Sequence, residues 1–112
     1  MTKFKKAPQP PYYAVVFTSL RTGKDDAGYD KMAEKMERMA AQQPGYLGIE
    51  SARGEDGLGI TVSYWKDQAS LKAWQKVSEH LAAQALGRTR WYRWYHVRVA
   101  KVERDYSFRK DR

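Results

Sequence analysis

The sequence predicts an α+β fold of the split βαβ, ferredoxin-like kind: a four-stranded antiparallel sheet with helices on one face. Three observations lead there. Between Gly45 and Trp65 two alternating segments flank a Gly54-Glu55-Asp56-Gly57 turn, which is a hairpin signal. Tyr29 to Ala40 carries apolar residues at helical spacing. Further alternating segments lie near each end of the chain, so the order reads β-α-β-β-α-(α)-β.

The 112 residues make one domain by length. At 42% hydrophobic residues the chain is too apolar to be disordered. It has no cysteine, which excludes disulfides, thiolate metal sites and cysteine nucleophiles. No run approaches a membrane span and the N-terminus has no apolar signal core, so the chain reads as cytoplasmic with no membrane partner. The net charge of +8 is uneven. Residues 25–87 carry a net −3, and the positive charge sits on the two ends. Basic ends can attract anions or nucleic acid, but they read more simply as a solvated surface.

Residues 1–11 are rich in Lys and Pro and read as an extended basic arm. Residues 12–106 form the folded domain, and 107–112 a basic tail. Tyr12 to Leu20 is the first strand. Both of its faces are largely apolar, as in a sheet covered on both sides. Asp25 or Asp26 is placed to cap the helix that follows. In that helix Tyr29, Met32, Ala33, Met36, Met39 and Ala40 form the apolar stripe, and the methionines read as core filler. Pro44-Gly45 ends it.

In the hairpin, Leu47 and Ile49, with Ile60, Val62 and Tyr64, are expected to meet the helices. The opposite face then carries Tyr46, Gly48, Glu50, Thr61, Ser63 and Trp65. One carboxylate, two hydroxyls and aromatics on one face have the character of a cavity lining, although an ordinary solvated face would look similar. Asp67 is placed to cap a second helix, in which Leu71, Trp74 and Val77 recur every third residue. The apolar stripe shifts near Ser78, which predicts a bend or break there and a further helix ending about Gly87. In Arg88–Tyr95 aromatics alternate with arginine, a pattern that can stack on single-stranded nucleic acid. However, Tyr95, Val97 and Val99 alternate with His96, Arg98, Ala100 and Val102, so the segment reads as a last strand running to about Tyr106. Nucleic acid is therefore not assigned as a partner.

No phosphate loop, nucleophile elbow or metal-ligand cluster is present, and His80 and His96 are the only histidines. The sheet's face away from the helices needs cover, which a second copy would supply.

The Pro-Gly-Tyr opening a strand, the hairpin, Tyr64-Trp65, and a helix carrying Trp74 resemble the antibiotic biosynthesis monooxygenase family. The resemblance extends over roughly Tyr12 to Tyr106. It implies a homodimer that closes into an α+β barrel. It also implies a reaction of an aromatic or quinol-like molecule with oxygen, without metal or organic cofactor. Such chemistry needs a dry pocket, aromatic walls, a base and a stabiliser for the substrate anion. Candidates are His80 and Glu50 as base, Arg98 and Trp65 as stabilisers, and Phe17, Tyr64 and Trp74 as walls, with Ser63 and His96 also against the substrate. Packing or surface roles are the simpler reading for His80, His96 and Trp74. The haem-degrading branch would need an Asn on the first strand and a His ten residues after the helical Trp. Here the first strand has no Asn and Gln84 takes the His position, so haem is not predicted. The alternatives are a non-catalytic or regulatory protein of this fold that binds a hydrophobic small molecule, and a nucleic-acid module using the basic ends.

Overall fold

The computed structural model describes the backbone of residues 2–4, 8–84 and 90–110. Its elements are β1 (Thr2–Phe4), β2 (Tyr12–Arg21), α1 (Asp26–Ala41), β3 (Tyr46–Arg53), β4 (Leu58–Trp65), α2 (Gln68–Gln84) and β5 (Tyr92–Val102). The strands form one antiparallel sheet in the order β1-β3-β4-β2-β5. β2 to β5 are the predicted ferredoxin-like sheet, with the first and third strands central. The predicted extended arm supplies a fifth strand, pairing Thr2–Phe4 with Gly48–Glu50 of β3.

Both helix starts follow from their caps. Asp25, at φ 54, accepts from the Gly28 N–H through its side chain and opens α1. Asp67 accepts from the Ser70 N–H at 2.8 Å and the Ser70 hydroxyl at 2.7 Å at the head of α2. The helix does not make the predicted break near Ser78: α2 runs through it to Gln84. The Ser78 hydroxyl donates to the Gln75 carbonyl at 3.1 Å, inside the helix, and Leu81 continues the buried stripe. The part of that expectation resting on Ala85 to Gly87 lies outside the described residues. The last strand ends at Val102 rather than near Tyr106. Beyond it, Asp105 accepts a hydrogen bond from the Tyr12 hydroxyl.

The register decides which residues meet the helices, because directly opposite residues share a face. Val15, Phe17 and Ser19 of β2 lie opposite Ser63, Thr61 and Gly59 of β4 and opposite Val99, Val97 and Tyr95 of β5. Val15 packs with Trp65, Ala40, Leu71 and Trp74 in the core, so this is the helix face. The expectation for β4 is thereby reversed. Thr61, Ser63 and Trp65 lie under the helices, and Ile60, Val62 and Tyr64 lie on the open face. In β3 the register shifts between Tyr46 and Gly48. This bulge puts Tyr46 and Ile49 on the helix face, and Gly48 and Glu50 on the open one. Strict alternation cannot foresee such a switch, and on a strand with two apolar faces it does not say which face is covered.

The core centres on Trp65, which is 0% exposed. Tyr46 meets it edge-on at 5.7 Å and Trp74 stacks on it at 5.9 Å. Leu71, buried beside them, contributes about 1.5–3 kcal/mol by leaving water. Among the described residues no helix is long and apolar enough to cross a membrane.

Candidate active site

The helices do not cover the sheet completely. Between α1, α2 and the helix face lies a cavity of about 530 Å³. β2, β3 and β4 form its floor, and β5 closes one side.

One end is apolar. Val15, Ile49, Met36 and Trp74 line it, and Ser63 supplies a hydroxyl. Trp65 stands behind Trp74 with its ring nearly parallel, at 21°. The Trp65 indole N–H donates to the Ser63 hydroxyl oxygen at 2.9 Å. That bond orients Ser63 and leaves its own O–H to donate to a bound molecule.

The other end is aromatic and cationic. Phe17 stacks on Tyr95 at 5.2 Å and meets Tyr92 edge-on at 5.5 Å. Tyr29 meets Trp91 and Tyr92 edge-on, each at 5.9 Å. The Trp91 N–H donates to Asp25 at 3.1 Å, which ties the start of α1 to the entry of β5 and is the main reason the Asp25 carboxyl is held below its ordinary value. Burial, chiefly, pushes the Tyr92 phenol above its ordinary range, and its hydrogen bond with Tyr29 adds to the shift. Tyr92 is therefore a neutral phenol at physiological pH.

Arg53 completes this end. Arg53, Gly59 and Ser19 lie side by side across β3, β4 and β2. Gly59 has no side chain, so the arginine lies across it. A Cβ at Gly59 would stand 2.5 Å from Arg53 Cζ. The guanidinium donates to the Ser19 hydroxyl at 2.9 Å, the Tyr29 hydroxyl at 3.1 Å, and the carbonyls of Ser19 and Gly57. Arg21 sits over the Tyr29 ring, with Cζ 3.8 Å from the centroid.

Of the residues predicted for the site, Phe17, Ser63 and Trp74 line the cavity, and Trp65 backs it. The others are elsewhere. Glu50 and Tyr64 lie on the open face, where the Tyr64 hydroxyl donates to Glu50 at 2.7 Å. Burial, with Glu50 next, pushes the Tyr64 phenol up. His96 and Arg98 share that face, opposite Thr18 and Val16. His80 is exposed on α2 and is not part of the lining, which α2 provides through Trp74, Gln75, Ser78, Glu79 and Ala82. The carboxylates that do line the cavity are Asp30, Glu37 and Glu79. Glu37 is half-buried and the other two are exposed. Among the described residues no group of three or more His, Asp or Glu side chains gathers as a metal site would require.

Sequence reasoning missed Tyr29, Arg53, Tyr92 and Glu37. Tyr29 and Glu37 edge the α1 stripe and read as core and surface. Arg53 was legible only as the residue facing Gly59 across the hairpin, a pairing that counting outward from the turn could have given.

Comparison with known proteins agrees with this architecture. Residues 11–86 match the family described as antibiotic biosynthesis monooxygenase. The chain is 49% identical over 111 residues to the uncharacterized protein YqjZ of Bacillus subtilis (strain 168), covering 99% of this chain and 96% of that protein. It is 26% identical over 100 residues to the jasmonate monooxygenase ABM of Pyricularia oryzae, covering 88% of this chain but 41% of that larger protein. The structure of SnoaB, a cofactor-independent oxygenase from Streptomyces nogalater, superposes with a TM-score of 0.65 at 13% identity, over 90% of this chain and all of that one, and so shares the fold. The match over residues 11–86 and the 49% identity place this chain in the antibiotic biosynthesis monooxygenase family.

Proposed function

We propose that the chain is a monooxygenase that oxidises an aromatic or quinol-like small molecule with molecular oxygen, without metal or organic cofactor, inside this cavity. The observation that carries the reading is the lining itself: a space of about 530 Å³ walled by Phe17, Trp74, Tyr92 and Tyr95, with hydroxyls and one half-buried carboxylate among them. A flat ring fits between aromatic walls, and the few polar groups set its orientation.

In this reading Glu37 takes a proton from the bound substrate, leaving an electron-rich anion. The Ser63 hydroxyl donates to the developing oxyanion. The anion passes its electrons to oxygen. One oxygen atom becomes the new carbonyl of a quinone and the other leaves as water, so a CH₂ or aromatic CH consumes one O₂. Phe17, Ser63 and Trp74 keep their predicted roles against substrate. The base and the stabiliser are assigned to residues of the lining rather than to His80, Glu50 or Arg98.

A second copy is the proposed cover for the open face, where Ile60 is 47% exposed and Trp94 46%. His96, Arg98, Tyr64 and Glu50 would then lie in or beside that interface. Native mass spectrometry tests it. A dimer that Ile60→Asp and Trp94→Asp dissociate supports the reading, and a monomer at micromolar concentration contradicts it.

Oxygen uptake tests the activity. Wild type is expected to consume oxygen with a naphthol or anthrone, and Glu37→Gln to reduce that rate by about 10²-fold or more with binding retained. Binding without turnover is the alternative, favoured by the fact that neither histidine lines the cavity.

A further inference from the structure

The polar end of the cavity is more elaborate than oxidation of a plain aromatic ring requires. Among the described residues Arg53 is the cation of the lining. Its neighbours Arg21 and Arg90 have carboxylate partners, Asp26 at 3.0 Å and Asp25 at 3.4 Å. Among the described residues no Asp or Glu oxygen lies within 4.0 Å of the Arg53 nitrogens. Its four terminal N–H groups are instead directed at neutral oxygens, on Ser19, Tyr29 and Gly57. The guanidinium is thus held in place, open to water and without a carboxylate beside it among the described residues, so an incoming anion meets no competing negative charge there.

Tyr29 carries that charge into the cavity. Its oxygen accepts from Arg53 at 3.1 Å, and its ring meets Tyr92 edge-on. A bond accepted from a guanidinium polarises the phenol, so the Tyr29 O–H is a stronger donor than an isolated one.

We propose that Arg53 and Tyr29 form an anion subsite, and that the substrate is an aromatic acid whose carboxylate binds there while its ring lies toward Ser63 and Trp74. The proposal rests on the cavity being the binding site, as in the reading above, but not on turnover. Gly59, beside Arg53, and Ser63 are four residues apart on one strand, about 13 Å at the usual rise. A substrate with its acid group roughly one ring length from the reacting carbon spans that distance once the side chains at each end are allowed for.

Tryptophan fluorescence on the whole chain tests it, with 6-hydroxy-2-naphthoic acid and its methyl ester as probes. The expected result is that wild type binds the acid at least about ten-fold more tightly than the ester. Arg53→Gln should abolish the preference by weakening the acid alone. Gly59→Ala keeps the arginine but displaces it, and should weaken the acid in the same direction. This second variant serves even where Arg53→Gln fails to fold. Equal binding of acid and ester by wild type, or a preference that survives both substitutions, overturns the proposal. Failure of both probes to bind overturns it together with the cavity reading. Arg53-dependent acid binding with no oxygen uptake upholds the subsite and removes the monooxygenase reading alone.

Discussion

The Arg53 guanidinium crosses the bare backbone of Gly59 to donate to the Ser19 hydroxyl, at 2.9 Å. Ser19 is fully buried on a central strand, so this polar row is built into the floor of the sheet rather than added at its rim. Ser19→Ala removes an oriented acceptor of a charged donor. It is expected to lower stability by about 1 kcal/mol in urea unfolding, since Arg53 is itself exposed and water can replace part of the bond. A loss beyond about 3 kcal/mol would mean that the row holds the sheet together rather than positioning Arg53.

Trp74 serves two purposes that substitution can separate. It packs on Trp65 in the core and presents its other side to the cavity. Trp74→Ala is expected to cost about 3–5 kcal/mol, as other large-to-small core changes do. Trp74→Phe keeps most of the packing, and is expected to stay folded by circular dichroism while binding naphthol-type probes more weakly. Unchanged probe affinity in that variant would place the ligand elsewhere.

Gly45 joins α1 to β3 with φ +84, a conformation that L side chains rarely adopt. An added Cβ would also overlap Ser70, with Ser70 Cβ at 2.5 Å, where the first turn of α2 passes. The backbone is held as well, because the Lys66 N–H donates to the Gly45 carbonyl at 2.7 Å. Gly45→Ala is therefore expected to destabilise by about 1–3 kcal/mol, and Ser70→Gly in the same chain to recover part of the loss. A neutral Gly45→Ala in thermal unfolding would contradict this.

Tyr12 gives the fold an alkaline signature. Burial, then its hydrogen bond to Asp105, raises its phenol from 10.0 to about 12. The folded state thus favours the neutral form. That contribution is complete below pH 10, and is lost as pH rises through about 12. Urea unfolding followed upward from about pH 9 should show stability falling with pH, and Tyr12→Phe should flatten the slope. An unchanged slope in Tyr12→Phe would assign the loss to other tyrosines, of which Tyr64 is the first candidate.

The sequence made the element order legible because the physics involved is local. Helical spacing marked α1, the Asp67 cap marked α2, and Gly54 to Gly57 marked the hairpin. The faces of the hairpin were not legible, for two reasons. Ile60 and Val62 are apolar on the side away from the helices, so hydrophobicity could not choose between the faces. The bulge at Leu47 then put Tyr46 on the helix side with Ile49, away from Gly48 and Glu50. The site was half legible on the same grounds. Phe17, Ser63 and Trp74 stood out by residue type. Arg53, Tyr29 and Tyr92 come together only through the register of β3 on β4 and the docking of α1 beside β5, which no local pattern records.

The cavity as a site of oxidation is tested most directly by oxygen consumption of the purified, metal-free chain. The substrates are naphthols, anthrones and quinols, with and without a carboxylate, and products are followed by absorbance. The expected result is uptake above the uncatalysed rate, with one quinone formed per O₂ consumed, and loss of that uptake in Glu37→Gln. No uptake across the panel by a protein that binds the same probes would contradict the oxidation and leave a binding protein built on the same cavity.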